Sequence, residues 1–376
     1  MRVLIMTATV GEGHDAAALA VEEQLRDLDP SIEVRVESMS RVSGHLVENL
    51  IVKAYRFQLT HAPWSYKWLY DTIITSRPLT SVIKLLCGVV GGARTQRLVE
   101  SADPDVVLST YPLTSAMLEW LKIKGRLKIP CANLLTDFAP HPMWTFKGLD
   151  VNYVMNQITT VEVEAMIAGA PTQVVAPPVS PRFFGPVMRL ERRRKLGARD
   201  SDFVVLITGG GWGVGNLENT ARVVSSVEGT KPVVLCALND ELKEKLLKTP
   251  PPNSVILGFV DYVPELLDAA DLLVHNAGGL TSLEAMVRAC PIVITDPIPG
   301  HGLANAKLMD RSDTATWARD SAELVKAVQT AQSSRVFRRR AERLAGDILS
   351  MPTVAQLLIE LAGQGTAFPG EAAKSE

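Results

Sequence analysis

Residues 2–20 read RVLIMTATVGEGHDAAALA, an apolar run that leads into a glycine-containing turn and then into a stretch rich in alanine. The run RVLIM has the composition of a buried strand, and the residues from Ala16 onward repeat apolar side chains at helical spacing. Glycine favours a sharp turn between them because it adopts backbone conformations that other residues avoid. Together they predict the first strand, turn and helix of a doubly wound α/β domain, in which such a turn faces the ligand.

The glycine turn by itself does not identify the ligand. Gly11, Gly13 and Ala16 fit the spacing of a dinucleotide-binding turn, which suggests an NAD(P)-dependent oxidoreductase with Glu37 on the ribose. His14 favours another interpretation, because a helix N-terminus disfavours a positive imidazolium and leaves a neutral ring that can accept a proton. This suits a general base or a substrate contact, and the alternative is a histidine that caps the helix.

Composition excludes several classes of protein. The chain has 376 residues, 47% of them hydrophobic and 21% charged, which is enough for the cores of two domains. With a net charge of -2, no overall basic charge favours a nucleic-acid partner, and any anionic partner must bind to a local patch. The cysteines form no C-x-x-C pair, so we expect reduced core residues in a cytosolic protein and no zinc site. They are Cys87, Cys131, Cys236 and Cys290.

The N-terminal residues predict no signal peptide, since a strand follows Met1 and Arg2 directly. No uncharged run reaches the roughly 20 residues of a membrane-spanning helix. We therefore expect a soluble or peripheral protein.

Strand-like apolar runs alternate with helical patterns, as in parallel α/β sheets. The runs are RVLIM, IEVRVES, DVVLST, PCANLLTDF and VNYVMN, then FVVLIT, PVVLCA, SVILGFV, DLLVH and PIVIT. A proline-rich break at 176–186, APPVSPRFFGP, separates the two groups. We expect Rossmann-like domains over 1–178 and 179–334, helices over 335–362 that cross back to the first domain, and a flexible tail over 363–376.

One segment of the first domain, about 42–100, contains no predicted strand. Trp64, Tyr66, Trp68 and Tyr70 occupy every second position there, with Lys67 among them and several other arginines and lysines nearby. Amphipathic aromatic side chains beside cations are typical of a membrane interface. The alternative is a helical subdomain whose aromatic residues pack inward.

The second domain has three loops at predicted strand ends, where open α/β sheets bind ligands. GGGWGVGN at 209–216 lets the backbone approach a ligand closely. HNAGGLTSLEAM at 275–286 places a glycine pair before a helix N-terminus, which suits a diphosphate, with Glu284 left for a sugar diol. The alternative there is an ordinary capped helix with a surface Glu284. DPIPGHGLANAKLM at 296–309 adds His301 and Asn305, which could reach a sugar. These loops suit a nucleotide-sugar better than a dinucleotide.

Several motifs together resemble one family. They are GEGHDAAA, TDFAPHPMW, GGGWGVGN, GFVDYVPELLDAADLLVHNAGGLTSLEAM and PIPGHGLAN. Over about 360 residues the chain is similar to the monogalactosyldiacylglycerol synthases and processive diacylglycerol glucosyltransferases of glycosyltransferase family 28, relatives of the transferase that forms lipid II. The resemblance implies a GT-B fold, in which two Rossmann-like domains face a cleft. It also implies a UDP-sugar held by the second domain, an acceptor lipid held by the first, inversion at the anomeric carbon and no required metal or cofactor.

The resemblance also implies roles for individual residues. His14 or Asp137 would be the base that deprotonates the acceptor, and His141 would orient a substrate. The implied donor-binding residues are Gly209, Gly210, Gly211, Phe259, Val260, Gly278, Gly279, Leu280, Thr281, Ser282, Glu284, His301 and Asn305. The implied acceptor or membrane contacts are Gly13, Trp64, Tyr66, Trp68, Tyr70 and Trp144.

This sequence departs from the family at two places. His301 stands where the family often has glutamine, and His275 and Asn276 precede the glycine pair where lysine or threonine is common. The first position is expected to touch sugar hydroxyls, so galactose, glucose and less usual hexoses all stay open.

The leading prediction is an inverting UDP-hexose transferase that acts on a diacylglycerol-like lipid, as a peripheral protein at the cytoplasmic face of the membrane. The nearest alternative keeps the donor and glycosylates a soluble or prenylated natural product. Further alternatives are a UDP-N-acetyl-sugar epimerase, the NAD(P)-dependent oxidoreductase and a non-catalytic nucleotide-sugar-binding module. The sequence leaves the oligomeric state open.

Overall fold

Two parallel sheets, each covered by helices on both faces, organise the polypeptide. The computed structural model describes residues 1–9, 13–277 and 279–365, and within them each sheet has six strands. The first sheet has the order β2-β1-β3-β4-β5-β6, and the second has the order β12-β11-β10-β7-β8-β9. The strands are β1 Arg2–Thr7, β2 Glu33–Ser38, β3 Val106–Ser109, β4 Cys131–Leu134, β5 Val151–Val154, β6 Thr172–Val174, β7 Phe203–Thr208, β8 Thr230–Leu235, β9 Val255–Leu257, β10 Leu272–His275, β11 Ile292–Ile294 and β12 Thr316–Trp317.

The helices lie between successive strands and after the last one. They are α1 Gly13–Leu28, α2 Ser40–Ser43, α3 His45–His61, α4 Pro63–Leu69, α5 Arg77–Ala102, α6 Pro112–Ile123, α7 Gln157–Met166, α8 Arg189–Lys195, α9 Leu217–Ser225, α10 Asp240–Lys248, α11 Val263–Ala269, α12 Gly279–Val287, α13 His301–Arg311, α14 Ser321–Ser333, α15 Val336–Leu349 and α16 Val354–Gly365. Short helical turns lie at Tyr70–Ile74, Pro142–Trp144 and Pro181–Phe184.

Central strands are buried along their whole length, because helices cover both faces of a parallel sheet. Every residue of β3, β4 and β10 is buried, which explains their mostly apolar sequences. Cys131, Cys236 and Cys290 are buried in these cores, as predicted, whereas Cys87 is only half-buried. The two predicted doubly wound sheets are therefore confirmed.

The proline-rich break lies where the chain passes from one sheet to the other. The first sheet ends with β6, and the second begins with β7. At the far end of the chain, α15 packs against α12, whereas Val354 and Leu358 of α16 lie in the core beneath the first sheet. The Ala176 amide donates to the Pro352 carbonyl at 2.9 Å, so both connections between the domains run side by side.

The segment predicted to lack strands is helical throughout, from α2 to α5. Its longest helix, α5, packs closely on α6. A Cβ atom on Gly91 would lie 2.6 Å from the Met117 sulfur, and one on Gly92 would lie 2.6 Å from the Trp120 ring. A larger residue at Gly92 would clash with the rigid Trp120 ring, whereas at Gly91 it would displace only the flexible end of Met117.

One helical stretch, Val336–Gly363, is long and apolar enough by composition to cross a membrane. It comprises α15 and α16, and part of its apolar surface belongs to the core: Ala345 and Ile348 are buried, and Val354 and Leu358 are fully enclosed. A second stretch qualifies only if α4, the turn after it and α5 are joined across a bend of 89°.

Candidate active site

Two neighbouring cavities open into each other between the domains. The first, of about 460 Å³, lies between the start of α1, the loop after β4 and the helices α3 to α5. The second, of about 290 Å³, lies over the carboxyl ends of β7, β8 and β10. Gly13, Tyr55, Gly279, Leu280 and His301 line both. The location agrees with the rule that open α/β sheets bind ligands at the carboxyl ends of their strands.

The walls of the two cavities differ in chemistry. The first is lined largely by apolar side chains from the helical segment and from the loops of the first sheet: Ile51, Ala54, Leu69, Ile73, Ile74, Ile83, Leu113 and Met143. The second also has apolar side chains in its wall, such as Leu235 and Ile298, but it adds the backbone of the glycine loops and the polar side chains of Thr208, Thr281 and Glu284. The first cavity thus suits an apolar ligand, and the second adds backbone amides and hydroxyl groups that a polar ligand can bind.

His14 lies in the first turn of α1, on the wall of the first cavity. Its Nδ1 is 3.2 Å from the Thr136 hydroxyl, and its ring packs edge-on against Tyr111 at 5.2 Å. Burial lowers the pKa of His14 to about 4, and the negative charge of Asp137 opposes this effect. The imidazole is therefore neutral at neutral pH, as the sequence predicted, but the main cause is desolvation rather than the helix dipole. Gly11 of the same turn lies outside the described residues.

Asp137 and His141 come from the loop after β4 and line the first cavity. His141 Nε2 lies 3.9 Å from an Asp137 carboxylate oxygen. Burial lowers the pKa of His141 to about 4, so the ring is neutral and the two form no ion pair at neutral pH. Trp144 fills the space between the rings of His14 and His141, at 5.1 and 5.8 Å.

Glycines bring the loops of the second domain close to the cavities. At Gly209 a Cβ atom would overlap the Val214 backbone, and Gly210 has a φ of 72°, which other residues rarely adopt. A Cβ atom on Gly279 would lie 2.9 Å from the Thr136 carbonyl oxygen, so the start of α12 touches the loop after β4. The other glycine of the predicted pair, Gly278, lies outside the described residues.

Glu284 faces the second cavity from the second turn of α12. Burial raises its pKa to about 8, with the positive charge of Arg182 opposing. Phe259 and Val260 line the same cavity from the loop after β9, and Phe259 is largely exposed. A carboxyl group that burial has separated from water can form hydrogen bonds with the hydroxyl groups of a ligand instead.

The structure brings most of the predicted site residues to the two cavities. On the first lie Gly13, His14, Tyr66, Tyr70, Asp137, His141, Trp144, Gly279, Leu280 and His301. On the second lie Gly13, Gly209, Gly210, Gly211, Phe259, Val260, Gly279, Leu280, Thr281, Glu284 and His301.

Two residues predicted to contact the donor line neither cavity. Asn305 is 1% exposed and lies behind the cavities, where its side-chain oxygen accepts from the Ala139 amide. Ser282 is also buried, and its hydroxyl is 3.1 Å from His275 Nε2. Both sit on the inner face of their helices, toward the core. His275 and Asn276 also bind protein groups, with Asn276 donating to the Val214 carbonyl, although Asn276 lines the second cavity.

The four predicted aromatic contacts divide into two pairs. Trp64 and Trp68 are 74% and 59% exposed, as a membrane contact requires. Tyr66 and Tyr70 are buried on the opposite side and line the first cavity, so their positions fit the acceptor contact of the prediction rather than the membrane contact. The Tyr66 hydroxyl shares a hydrogen bond of 3.0 Å with His301 Nδ1, which joins the helical segment to the second domain.

Sequence reasoning missed three aromatic residues of the cleft. Tyr55 lines both cavities, Tyr111 the first and Trp212 the second. Tyr111 and Trp212 follow strand ends closely, so the rule on carboxyl ends could have found them. Tyr55 lies inside a helix, and no sequence signal marks it.

Among the residues that the structure describes, no three His, Cys, Asp or Glu side chains are grouped so that they could hold a metal ion.

The sequence is similar to one protein-family model and to several curated proteins. Residues 14–177 match the family model described as monogalactosyldiacylglycerol (MGDG) synthase. The chain is 26% identical over 317 residues to the processive diacylglycerol beta-glucosyltransferase of Bacillus pumilus, covering 82% of this chain and 81% of that protein. The protein of the same name from Bacillus subtilis is 26% identical over 342 residues, covering 87% and 86%. The predicted resemblance to diacylglycerol glycosyltransferases is confirmed.

Solved glycosyltransferase structures share the fold. MurG of Acinetobacter baumannii superposes with a TM-score of 0.61 at 17% identity, covering 96% of this chain and 99% of that one. The spinosyn rhamnosyltransferase SpnG, solved with spinosyn aglycone, has a TM-score of 0.63 at 15% identity, covering 96% and 100%. These likenesses confirm the predicted GT-B fold.

Proposed function

We propose that this chain, a GT-B glycosyltransferase similar to the diacylglycerol glycosyltransferases, transfers a hexose from a UDP-sugar to the hydroxyl group of a diacylglycerol-like lipid. One observation carries the proposal: an apolar cavity and a cavity of glycine loops meet at Gly13, Gly279 and His301. A lipid hydroxyl in the first and a nucleotide-sugar in the second would meet at this junction. The names of the relatives support the acceptor class.

The second cavity can hold each part of the donor. Backbone amides at the start of α12, around Gly279 to Thr281, offer hydrogen bonds and a positive helix end to the diphosphate. Glu284 would accept hydrogen bonds from the ribose hydroxyls, and the backbone at Phe259 and Val260 would contact the uracil. The sugar then lies toward His301, next to the acceptor cavity.

His14 is our candidate for the base. Its neutral ring faces the acceptor cavity, and Thr136 holds it in place through Nδ1. The acceptor oxygen attacks the anomeric carbon, the bond from that carbon to the diphosphate breaks, and the hydroxyl proton passes to His14. Asp137 stabilises the positive charge that develops on the ring, since it already favours the protonated form. A single displacement of this kind inverts the anomeric carbon.

The positive end of α12 stabilises the departing diphosphate. We propose on this basis that transfer requires no metal ion. Activity should then survive an excess of chelator, and loss of activity restored by a divalent cation would contradict the proposal.

The outer surface of the helical segment suits a membrane. Exposed apolar residues recur on α5 at intervals of three and four, which places them along one face. Further exposed apolar residues lie on α3 and α4. The set comprises Leu46, Leu50, Phe57, Trp64, Trp68, Leu79, Val82, Leu85, Leu86, Val89 and Val90. Monomeric soluble proteins rarely expose so much apolar surface in one segment, so we propose peripheral attachment, at the cytoplasmic face, through α3 to α5.

The same segment also lines the acceptor cavity. Ile51 of α3 and Ile83 of α5 form part of its wall, and Leu50 and Val82, their neighbours in sequence, are exposed. A lipid in the membrane would therefore have a short route into the cavity. This favours a membrane lipid over a soluble natural product as acceptor.

A panel of UDP-hexoses tests the proposed function. Each is incubated with the protein and with vesicles that contain diacylglycerol, and lipid products are identified by mass spectrometry. We expect a lipid whose mass exceeds that of diacylglycerol by one or more hexose residues. Transfer to a soluble alcohol but not to any lipid would favour the natural-product alternative, and release of UDP with an altered free sugar would favour an epimerase.

A further inference from the structure

We propose that Asn305 is a positioning residue for Asp137, held in the second domain and acting across the cleft on the loop after β4. The proposal rests on the proposed function, because it concerns how the acceptor-activating groups are aligned. Asn305 lies on α13 and contacts neither cavity. Its effect on the reaction must therefore pass through Asp137.

The side-chain amide of Asn305 has a partner on each side. Its oxygen accepts from the Ala139 amide at 2.8 Å, and its nitrogen donates to Asp137 Oδ1 at 3.2 Å and to the Ala277 carbonyl at 3.4 Å. The chemistry of these partners fixes the orientation of the amide. A flipped side chain would place its NH₂ group against the Ala139 N–H and its oxygen against a carboxylate.

Asn305 binds only one of the two carboxylate oxygens of Asp137. Oδ1 is held by Asn305, whereas Oδ2 points toward His141, 3.9 Å from its Nε2. Asn305 therefore sets the rotation of the carboxylate and leaves Oδ2 toward the cavity that holds His14. Hydrogen bonds to ionised groups are among the strongest in proteins, so this one can hold a carboxylate in a single orientation.

Asn305 also connects the two substrate loops. Ala277, whose carbonyl is the third partner, has a φ of 60° and precedes the start of α12, where we place the diphosphate. On the other side, Phe138 and Ala139 are embedded in the core of the second domain. One buried amide thus fixes the donor loop, the acceptor loop and Asp137 relative to one another. The domains must adopt this arrangement for Asp137 to be aligned.

Two substitutions at this position separate a positioning role from a structural one. Asn305→Ala removes all three contacts. Asn305→Asp keeps the size of the side chain and the acceptor for the Ala139 amide, but replaces the donor to Asp137 with a second carboxyl oxygen. Asn219→Asp, on the exposed side of α9, introduces the same charge change away from the cleft.

We expect kcat for lipid glycosylation to fall roughly ten- to hundred-fold in Asn305→Ala, with the KM for the UDP-hexose changed by no more than about threefold. The decisive readout is the pH profile of Asn305→Asp. Two facing carboxyl groups share one proton at low pH, and the protonated one can still donate to the other. The kcat of Asn305→Asp should approach the wild-type value in acid and fall steeply as pH rises. The pH profile of Asn219→Asp should follow that of the wild type.

The outcomes are distinguishable. A wild-type protein that forms no glycolipid would overturn the proposed function itself. An active wild type with Asn305→Asp following the wild-type pH profile, or Asn305→Ala keeping full kcat, would overturn the positioning role alone. If Asn305→Ala raised only the KM for the UDP-hexose and left kcat unchanged, the positioning role would also be overturned, because Asn305 would then stabilise only the donor loop.

Discussion

Binding of the UDP-hexose should tighten as pH rises, because Glu284 must ionise to accept hydrogen bonds from both ribose hydroxyls. Burial raises the pKa of Glu284 to about 8, so the free protein holds this group mostly protonated at neutral pH. Donor binding favours the carboxylate and therefore releases a proton. Low pH thus opposes binding, and the effect disappears once pH exceeds the pKa of Glu284 in the free protein.

The size of the effect follows from the ionised fraction. With a pKa of about 8, roughly 3% of Glu284 is ionised at about pH 6.5 and roughly three quarters at about pH 8.5. The apparent dissociation constant equals the intrinsic one divided by this fraction, so it should fall about 25-fold between these pH values.

Isothermal titration calorimetry without acceptor measures this dependence. A UDP-hexose is the right ligand, because free UDP has a terminal phosphate that ionises near pH 6 and would confuse the result. We expect Glu284→Gln to bind more weakly at high pH and with little dependence on pH, whereas Glu244→Gln on the exposed side of α10 should follow the wild type. Wild-type affinity that is constant, or that increases toward acid, would refute the role of Glu284.

Three further predictions concern the base, the membrane surface and the core. His14→Ala should lower kcat about a hundred- to ten-thousand-fold, as expected for loss of a general base, and a smaller loss in steady-state assays would argue against that role. Replacing both Trp64 and Trp68 by serine should reduce vesicle binding in flotation assays at least about tenfold without lowering the melting temperature, because both side chains are exposed; unchanged flotation would remove them from the membrane contact. Arg288→Ala should lower the free energy of unfolding in urea by about 3–5 kcal/mol, since it leaves the buried carboxylate of Asp268 without its partner; a loss under about 1 kcal/mol would mean that the pair is not desolvated.

The fold was predictable because its signals are local. The central strands are mostly apolar, and glycine-rich turns follow β1 and β7. The edge strands β6 and β12 escaped prediction because they are two or three residues long and only partly buried. Such strands form by pairing with a neighbour rather than from their own composition.

The site was predictable only as a set of loops. Strand ends identify which loops face the cleft, but not which side of a helix faces a ligand. His301 and Asn305 are one helical turn apart, yet His301 lines both cavities and Asn305 is enclosed between the domains. Tyr66 and Trp68 similarly point to opposite sides of α4. These distinctions depend on how the two domains pack together, which no local pattern records.

The anomeric configuration of the product tests the central claim most directly. If the lipid hydroxyl in the first cavity attacks the sugar directly as the diphosphate leaves, the hexose must change from the α-linkage of the UDP-sugar to a β-linkage. Proton NMR of the purified glycolipid reports this from the coupling constant of the anomeric proton. We predict a β-linked hexosyl lipid. An α-linked product, or sugar released into water with no glycolipid formed, would contradict the account.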